Sequence, residues 1–128
     1  MPLVRIDTSN EWSAEQAIQI GETVFTVMHE TLNVPGGDKF QIIQRHPVGV
    51  MNIAPSYLGI SYSSKVMLIQ ITLNQGRSTE LKQKFYNDLA HALHASVGVR
   101  TDDVVVNLIE VAKENWSFGR GIAQYAEK

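Results

Sequence analysis

The stretch that decides the fold is VMLIQITLNQGRSTELKQKFYNDLAHALHASV, residues 66–97. It begins with a run of Val, Ile and Leu over 66–73, which is typical of a β-strand, and then passes through a polar loop. Ser78 is a residue type that commonly caps the start of a helix. Behind it, apolar residues follow one another at helical spacing, and 104–111 is a second strand-like run. The members of the helical stripe are Leu81, Phe85, Leu89, Ala92, Leu93 and Val97.

The same pattern occurs 65 residues earlier in the chain, and the two copies align without gaps. The first copy predicts a strand at 3–8, a helix that begins with a capping box of Ser13 and Gln16 and stops at the Val-Pro-Gly-Gly of 34–37, and a closing strand at 40–44. An internal repeat of this length covers most of the chain and determines the fold. The identical pairs are Leu3, Ile6, Ser13, Glu15, His29, Val34 and Asp38 with Leu68, Ile71, Ser78, Glu80, His94, Val99 and Asp103.

A strand, a helix and a second strand form a βαβ unit, whose two strands must lie parallel with the helix on one face of the sheet. Two fused units predict an α/β (α+β) fold with a four-stranded mixed sheet and both helices on one face. We expect a single domain, with repeat 1 at about 2–45, a linker with a short hairpin at 46–65, repeat 2 at about 66–111 and a tail at 112–128. Apolar residues occur at both parities of the strands, so the face without helices needs a cover, and we expect self-association.

Composition excludes several classes of protein. The net charge is −2 over 128 residues, so we expect no nucleic-acid partner, and the longest apolar run, 66–69, is far too short to span a membrane. The chain has no cysteine, which excludes disulfides, thiolate metal sites and thiol nucleophiles. His29 and His94 occupy equivalent repeat positions, which favours packing or surface roles over metal binding. The N-terminus lacks the pattern of a secretory signal, so we expect a cytoplasmic protein.

Two residues are candidates for chemistry on a carboxylic acid. Pro2 would carry a secondary amine after removal of Met1, and a buried α-amino group can titrate near working pH, where general acid–base catalysis is most efficient. Proline also simply suits the start of a strand. Arg77, in the loop before the second helix, could bind a carboxylate bidentately beside the free N–H groups of the helix start, or could be a solvated loop residue.

Three more candidates have structural alternatives. Asp38 follows Pro-Gly-Gly and could be a turn residue, an interpretation that its repeat counterpart Asp103 favours, or a functional one. Trp116 and Phe118 are large rings among glycines, and they could wall a pocket or dock the tail on the body.

With Met1-Pro2, the double repeat, and the strings LNQGR at 73–77 and ENWSFG at 114–119, the chain resembles the tautomerase superfamily, above all the branch that includes malonate semialdehyde decarboxylase. The resemblance implies a β-α-β fold, a homotrimer and an N-terminal proline as catalytic acid or base, here Pro2. It also implies that Arg77 holds the substrate carboxylate, that Asp38 polarises the substrate or acts on water, and that Trp116 and Phe118 wall the pocket. Asn74 stands where the decarboxylase has a first arginine, which weakens carboxylate clamping.

The expected function is therefore a keto–enol tautomerase that acts on a small 2-keto acid or its enol. Pro2, Arg77 and Asp38 are the expected catalytic residues, and Asn74, Trp116 and Phe118 the expected substrate-binding residues. No metal or organic cofactor is expected. The alternatives are a lyase like malonate semialdehyde decarboxylase or hydratase, and a non-catalytic module that binds a small molecule.

Overall fold

The computed structural model of the protein describes residues 2–126. Each repeat contains a strand, a long helix and a second strand, and a short hairpin lies between the repeats. The elements are β1 (Leu3–Ser9), α1 (Ala14–Leu32), β2 (Gln41–His46), β3 (Ser56–Tyr57), β4 (Ile60–Ser61), β5 (Met67–Asn74), α2 (Thr79–Val97) and β6 (Val104–Val111).

The main sheet has four strands in the order β2-β1-β5-β6. Strands β1 and β2 are parallel, β5 and β6 are parallel, and β1 and β5 join the two repeats in antiparallel fashion. The helices α1 and α2 pack against each other over the same face. The predicted mixed sheet with both helices on one face is thus confirmed.

Both helices begin as the sequence predicts. In α1 the Ser13 hydroxyl accepts from the Gln16 amide at 3.1 Å, and the Gln16 side chain accepts from the Ser13 amide at 2.9 Å, which completes the capping box. In α2 the Ser78 hydroxyl accepts from the Leu81 amide at 3.2 Å. These bonds satisfy backbone donors that have no partner within the helix.

The first helix ends earlier than predicted. It stops at Leu32, and Asn33 with a φ of 57° forms the left-handed cap before the Pro-Gly-Gly segment is reached. Asparagine tolerates the left-handed conformation better than most residues. Asn33 therefore ends α1 in the same way as Gly98, with a φ of 82°, ends α2.

The two equivalent histidines tie down the helix ends. Nδ1 of His29 donates to the carbonyl of Val34 at 2.6 Å, and Nδ1 of His94 donates to the carbonyl of Val99 at 3.0 Å. In each repeat the bond closes the turn that follows the helix, so the prediction of a packing or surface role is confirmed.

The core lies between the helices and the sheet. It contains the side chains of alternate strand positions, among them Val4, Ile6, Ile69 and Ile71, and the inner stripes of the helices, among them Ile20, Val24, Met28, Phe85, Leu89 and Leu93. The interior alternation along β1 and β5 fixes the pairing of the two repeats, because a slip of one residue would turn every core side chain outward. No helix within residues 2–126 is long and apolar enough to cross a membrane.

The sheet face without helices, which we call the open face, carries both apolar and charged side chains. Leu3, Phe40, Ile42 and Ile109 are each between 40% and 51% exposed. In their midst Asp7 accepts from Arg5 at 3.0 Å and pairs with His46 at 2.7 Å.

The linker forms the expected hairpin from β3 and β4. Asp103, which is buried, anchors the end of the linker: it accepts from the amide of Ser63 at 2.8 Å and from its hydroxyl, and it pairs with Arg100 at 3.2 Å. This carboxylate thus connects the linker to the beginning of β6.

Candidate active site

The candidate residues gather where four strands begin or end. Strands β1 and β2 start at the same edge of the sheet at which β5 and β6 end, because the second pair runs opposite to the first. The end of α1 and the loop before α2 reach the same edge. We call this edge the Pro2 end and the opposite edge the His46 end.

Arg77 lies in the loop between β5 and α2 and is held by two backbone carbonyls. Its Nη2 donates to the carbonyl of Leu32 at the last residue of α1, and its Nη1 donates to the carbonyl of Asn74, both at 3.0 Å. Its Nε is buried and has no hydrogen-bond partner within residues 2–126. Burial lowers the pKa of the guanidinium, and the nearby Glu110 carboxylate opposes that shift. The group is an oriented cation with unused donors.

Asn74 links this arginine to the aromatic residues of the tail. Its side-chain oxygen accepts from the indole nitrogen of Trp116 at 2.8 Å. The Trp116 ring stacks on Phe118, with ring centres 5.3 Å apart and an interplanar angle of 16°. Phe118 in turn lies 6.1 Å from Phe40, centre to centre. Three predicted substrate-binding residues therefore form one connected wall with Arg77 at its end.

A tight turn brings the tail back onto this wall. Gly119, Arg120 and Gly121 all have positive φ values, of 130°, 60° and 65°, so the chain reverses immediately after Phe118. Gln124 fixes the turn by accepting from the Phe118 amide and donating to the Gly119 carbonyl, both at 3.0 Å. As a result the next residue, Tyr125, packs edge-on against Phe118 with ring centres 5.1 Å apart.

Asp38 is half-buried in the turn before β2, where its amide donates to the Pro35 carbonyl at 3.0 Å. Burial and, second to it, the negative charge of Asp38 raise the pKa of the Tyr125 phenol. At Asp103, the counterpart of Asp38, the amide donates to the Arg100 carbonyl at 2.9 Å, which is the equivalent turn bond, and the carboxylate also accepts from Ser63 and pairs with Arg100. The two repeats therefore share one turn, as the interpretation of Asp38 as a turn residue expects, but their carboxylates have different surroundings, and a functional role of Asp38 stays a prediction.

Pro2 reaches the same end of the sheet through strand pairing. It is buried and precedes β1, whose Leu3 pairs with Thr72, so it lies beside Leu73 at the end of β5. The amide of Val4 donates to the carbonyl of Phe40 at 2.9 Å, which ties the start of β1 to the aromatic wall. Direct contacts join four of the candidate residues, which are Arg77, Asn74, Trp116 and Phe118. Pro2 and Asp38 are connected to this group only through neighbouring residues.

Sequence reasoning missed three parts of this arrangement. Phe40 was assigned only to a strand, Tyr125 was not singled out, and the Leu32 carbonyl carries no signal of its own in the sequence. The aromatic character of Phe40 and Tyr125, so near Asp38 and the Trp-Phe pair, is the signal that could have found the first two. Within residues 2–126, His, Asp and Glu side chains form no group of three that could hold a metal ion.

Comparison with known proteins gives the family. The model of a family described as tautomerase enzymes matches residues 38–119. The chain belongs to this tautomerase family. A probable tautomerase of Bacillus subtilis strain 168, YusQ, is 35% identical over 127 residues, which are 99% of this chain and 100% of that protein.

Solved structures agree with this assignment. The FG41 malonate semialdehyde decarboxylase inhibited by 3-bromopropiolate is 34% identical, with a TM-score of 0.90 over 98% of this chain and 95% of that one. A fused 4-OT chain that forms a symmetric trimer has a TM-score of 0.79 at 20% identity, over 98% of this chain and 99% of that one, and shows the common fold alone. The resemblance to the tautomerase superfamily is thus confirmed.

Proposed function

We propose that this member of the tautomerase family interconverts the enol and keto forms of a small 2-keto acid at the Pro2 end. The observation that carries the proposal is the state of Arg77, an oriented guanidinium with a buried, unpaired Nε at the edge of an aromatic wall. A carboxylate is the ligand that such a group binds best, because two parallel N–H donors match its two oxygens.

Pro2 supplies the proton transfer in this proposal. Removal of Met1, which lies outside the described residues, leaves a secondary amine at the start of β1. Burial disfavours the protonated form of an amine, so the group can accept a proton at neutral pH. The amine takes the proton from the enol oxygen and returns a proton to the neighbouring carbon, which converts the enol to the ketone without net gain or loss.

Arg77 has two tasks in this reaction. It anchors the substrate carboxylate, and its positive charge stabilises the enolate that develops while the proton moves. Fixed charges and dipoles act strongly at such sites because they are already oriented when charge develops. Trp116 and Phe118 exclude water from one side and hold the apolar part of the substrate.

A lyase reaction is the second candidate, because a malonate semialdehyde decarboxylase is 34% identical to this chain over nearly its whole length. Asp38 is the residue proposed to act on water or to polarise the substrate in that reaction. Asn74 stands where the resemblance places the first of two arginines, and here its side chain accepts from Trp116. We therefore favour tautomerisation.

We also propose that the chain forms a homotrimer through the open face of the sheet. This face carries an apolar surface whose exposure to water is unfavourable. It is formed by four half-exposed side chains, those of Leu3, Phe40, Ile42 and Ile109. Sedimentation at micromolar concentration tests this, and a species of 14.3 kDa would contradict it.

The decisive experiment compares wild-type protein, verified to lack Met1, with Pro2→Ala. Phenylenolpyruvate and 2-hydroxymuconate are the test substrates. We expect Pro2→Ala to lose most of the ketonisation rate, because a primary amine changes both basicity and geometry. Equal activity of the two proteins, or no activity of the wild type on either acid, would leave the binding-module interpretation.

A further inference from the structure

A cavity of about 170 Å³ lies at the His46 end, at the opposite edge of the sheet from the candidate active site. One side of it is formed where strands begin or end, at Ser9, His46 and Val66, and the other side by the linker. An apolar cavity of about 150 Å³ can hold benzene, so the space suits a ligand with one aromatic ring. Most of the linker residues that line the cavity are apolar, namely Pro47, Val48, Met51 and Ile53.

Hydrogen bonds hold the linker in place over the cavity. The amide of Val50 donates to the Pro47 carbonyl at 3.2 Å, which turns the chain directly after β2. At the other end of the linker the amide of Ser63 donates to the buried Asp103 carboxylate at 2.8 Å. The cavity is thus formed before any ligand binds, and such preorganisation reduces the entropic cost of binding.

The internal repeat relates this cavity to the candidate active site. The equivalent strands of the two repeats end 65 residues apart, β1 with β5 and β2 with β6. The same shift places Met51 on Trp116 and Ile53 on Phe118. In each repeat, therefore, the segment behind the second strand supplies apolar side chains at its own end of the sheet.

The charges around the cavity differ from those at the Pro2 end. Trp12 takes the place of Arg77 under the same shift, and none of the residues that line the cavity is lysine or arginine. Beside the cavity, hydrogen bonds from Ser64 and Ser9 hold the pKa of the Glu11 carboxyl below its usual value. A ligand carboxylate would lose its hydration, gain no cation and be repelled by Glu11, so the cavity favours a neutral ligand.

His46 has an unused hydrogen-bonding atom. The serine hydroxyls that line the cavity are already engaged, that of Ser63 by Asp103 and the other two by Glu11. The half-buried imidazole of His46 pairs through Nε2 with Asp7 at 2.7 Å, and because an ionised carboxylate only accepts, Nε2 carries the proton. In the neutral ring Nδ1 then has a free lone pair, and within residues 2–126 it makes no hydrogen bond.

We propose that the cavity at the His46 end is a second binding site, for a neutral molecule with one aromatic ring that donates a hydrogen bond to Nδ1 of His46. Phenols are the simplest members of this class. The site uses neither Pro2 nor Arg77, so its test is independent of the proposed tautomerase reaction.

The test titrates phenol and toluene, which have the same number of non-hydrogen atoms, into ¹⁵N-labelled full-length protein. We expect both to shift the NMR signals of the amides of Gly49, Ser63 and Val66. His46→Leu should weaken the binding of phenol by about three- to tenfold, the effect of one hydrogen bond, and leave that of toluene within about twofold. The matched control, His91→Leu on the exposed side of α2, should change neither affinity.

Ile53→Trp should abolish the shifts with both ligands, because the larger ring fills the cavity. Val50→Trp changes the same linker outside the cavity lining and should preserve them. Benzoate should leave the three amides unmoved, and benzoate shifts there would contradict the preference for neutral ligands. Phenol shifts that are absent, confined to the Pro2 end or retained in Ile53→Trp would overturn the binding site. Equal weakening of phenol and toluene by His46→Leu, or no weakening of either, would overturn the hydrogen bond to His46.

Discussion

Replacement of Arg77 by Ala should weaken both the fold and ligand binding, and the two effects can be separated. The side chain donates to the carbonyls of Leu32 and Asn74, both at 3.0 Å. Hydrogen bonds from charged donors contribute about 1.5–3 kcal/mol each, but water can reach carbonyls at the end of a helix and replace part of that. We therefore expect the free energy of unfolding to fall by about 2–3 kcal/mol.

The affinity for a carboxylic acid should also fall, and this effect is separate from the loss of folding stability. Loss of the charged donors that hold a carboxylate corresponds to about ten- to a hundredfold in affinity. Urea denaturation measures the stability, and calorimetry with 3-phenylpropanoate measures the affinity under conditions in which the variant is folded.

The matched control is Arg45→Ala at the His46 end. Arg45 also donates to a backbone carbonyl, that of Trp12 at 3.1 Å, but lies at the other edge of the sheet. It should lose about 1–2 kcal/mol of stability and no affinity. If Arg77→Ala is destabilised but binds the acid as tightly as the wild type does, then Arg77 has only the structural role, and the proposed anchoring of the carboxylate is wrong.

Three further outcomes follow from other contacts. Asp103→Ala should lower the free energy of unfolding by about 2–4 kcal/mol, because it removes a buried carboxylate and leaves the half-buried amide of Ser63 without its acceptor, whereas Asp102→Ala next to it should stay within about 0.5 kcal/mol in the same urea titration. Burial raises the pKa of Asp7, but hydrogen bonds from His46 and Arg5 outweigh burial and hold the pKa below its ordinary value. The ionised carboxylate therefore stabilises the fold fully above its ordinary pKa, and this stabilisation is lost as the pH falls through the lowered pKa. Asp7→Asn should remove up to about 1 kcal/mol of that acid dependence in denaturation curves, and an unchanged acid limb would contradict this. Asp38→Asn should have little effect on ketonisation of phenylenolpyruvate, while its effect on turnover of malonate semialdehyde separates the lyase from the tautomerase.

Local signals in the sequence were enough to predict the fold. Apolar spacing and the caps at Ser13 and Ser78 determine where the helices begin, and the repeat shows that the two halves pair alike. The end of α1 was placed too late because Pro-Gly-Gly is the stronger stop signal, while Asn33 can already adopt the left-handed conformation.

The site could be predicted only in part. Arg77 could be identified from its loop, but not its bond to Leu32, which lies 45 residues away and becomes a neighbour only when the repeats pack. Tyr125 approaches the wall only because three successive residues with positive φ reverse the tail. Of these, Arg120 is not glycine, and a positive φ is uncommon for such a residue, so its type gives no signal for the turn.

The strand order β2-β1-β5-β6 has a pseudo-twofold axis between β1 and β5. This symmetry exchanges the Pro2 end of the sheet with the His46 end. The shift of 65 residues places Met67 opposite Pro2, Trp12 opposite Arg77 and Asp103 opposite Asp38. At the His46 end the nitrogen of Met67 is a peptide amide inside the chain, so it can never act as an amine, and the guanidinium is replaced by an indole that donates to the Lys65 carbonyl. A cavity of about 170 Å³ remains at this edge, lined by Ser9, His46 and Val66 among others. Joining two copies in one polypeptide thus breaks their equivalence: under the proposed mechanism, only the Pro2 end can present an amine to a substrate.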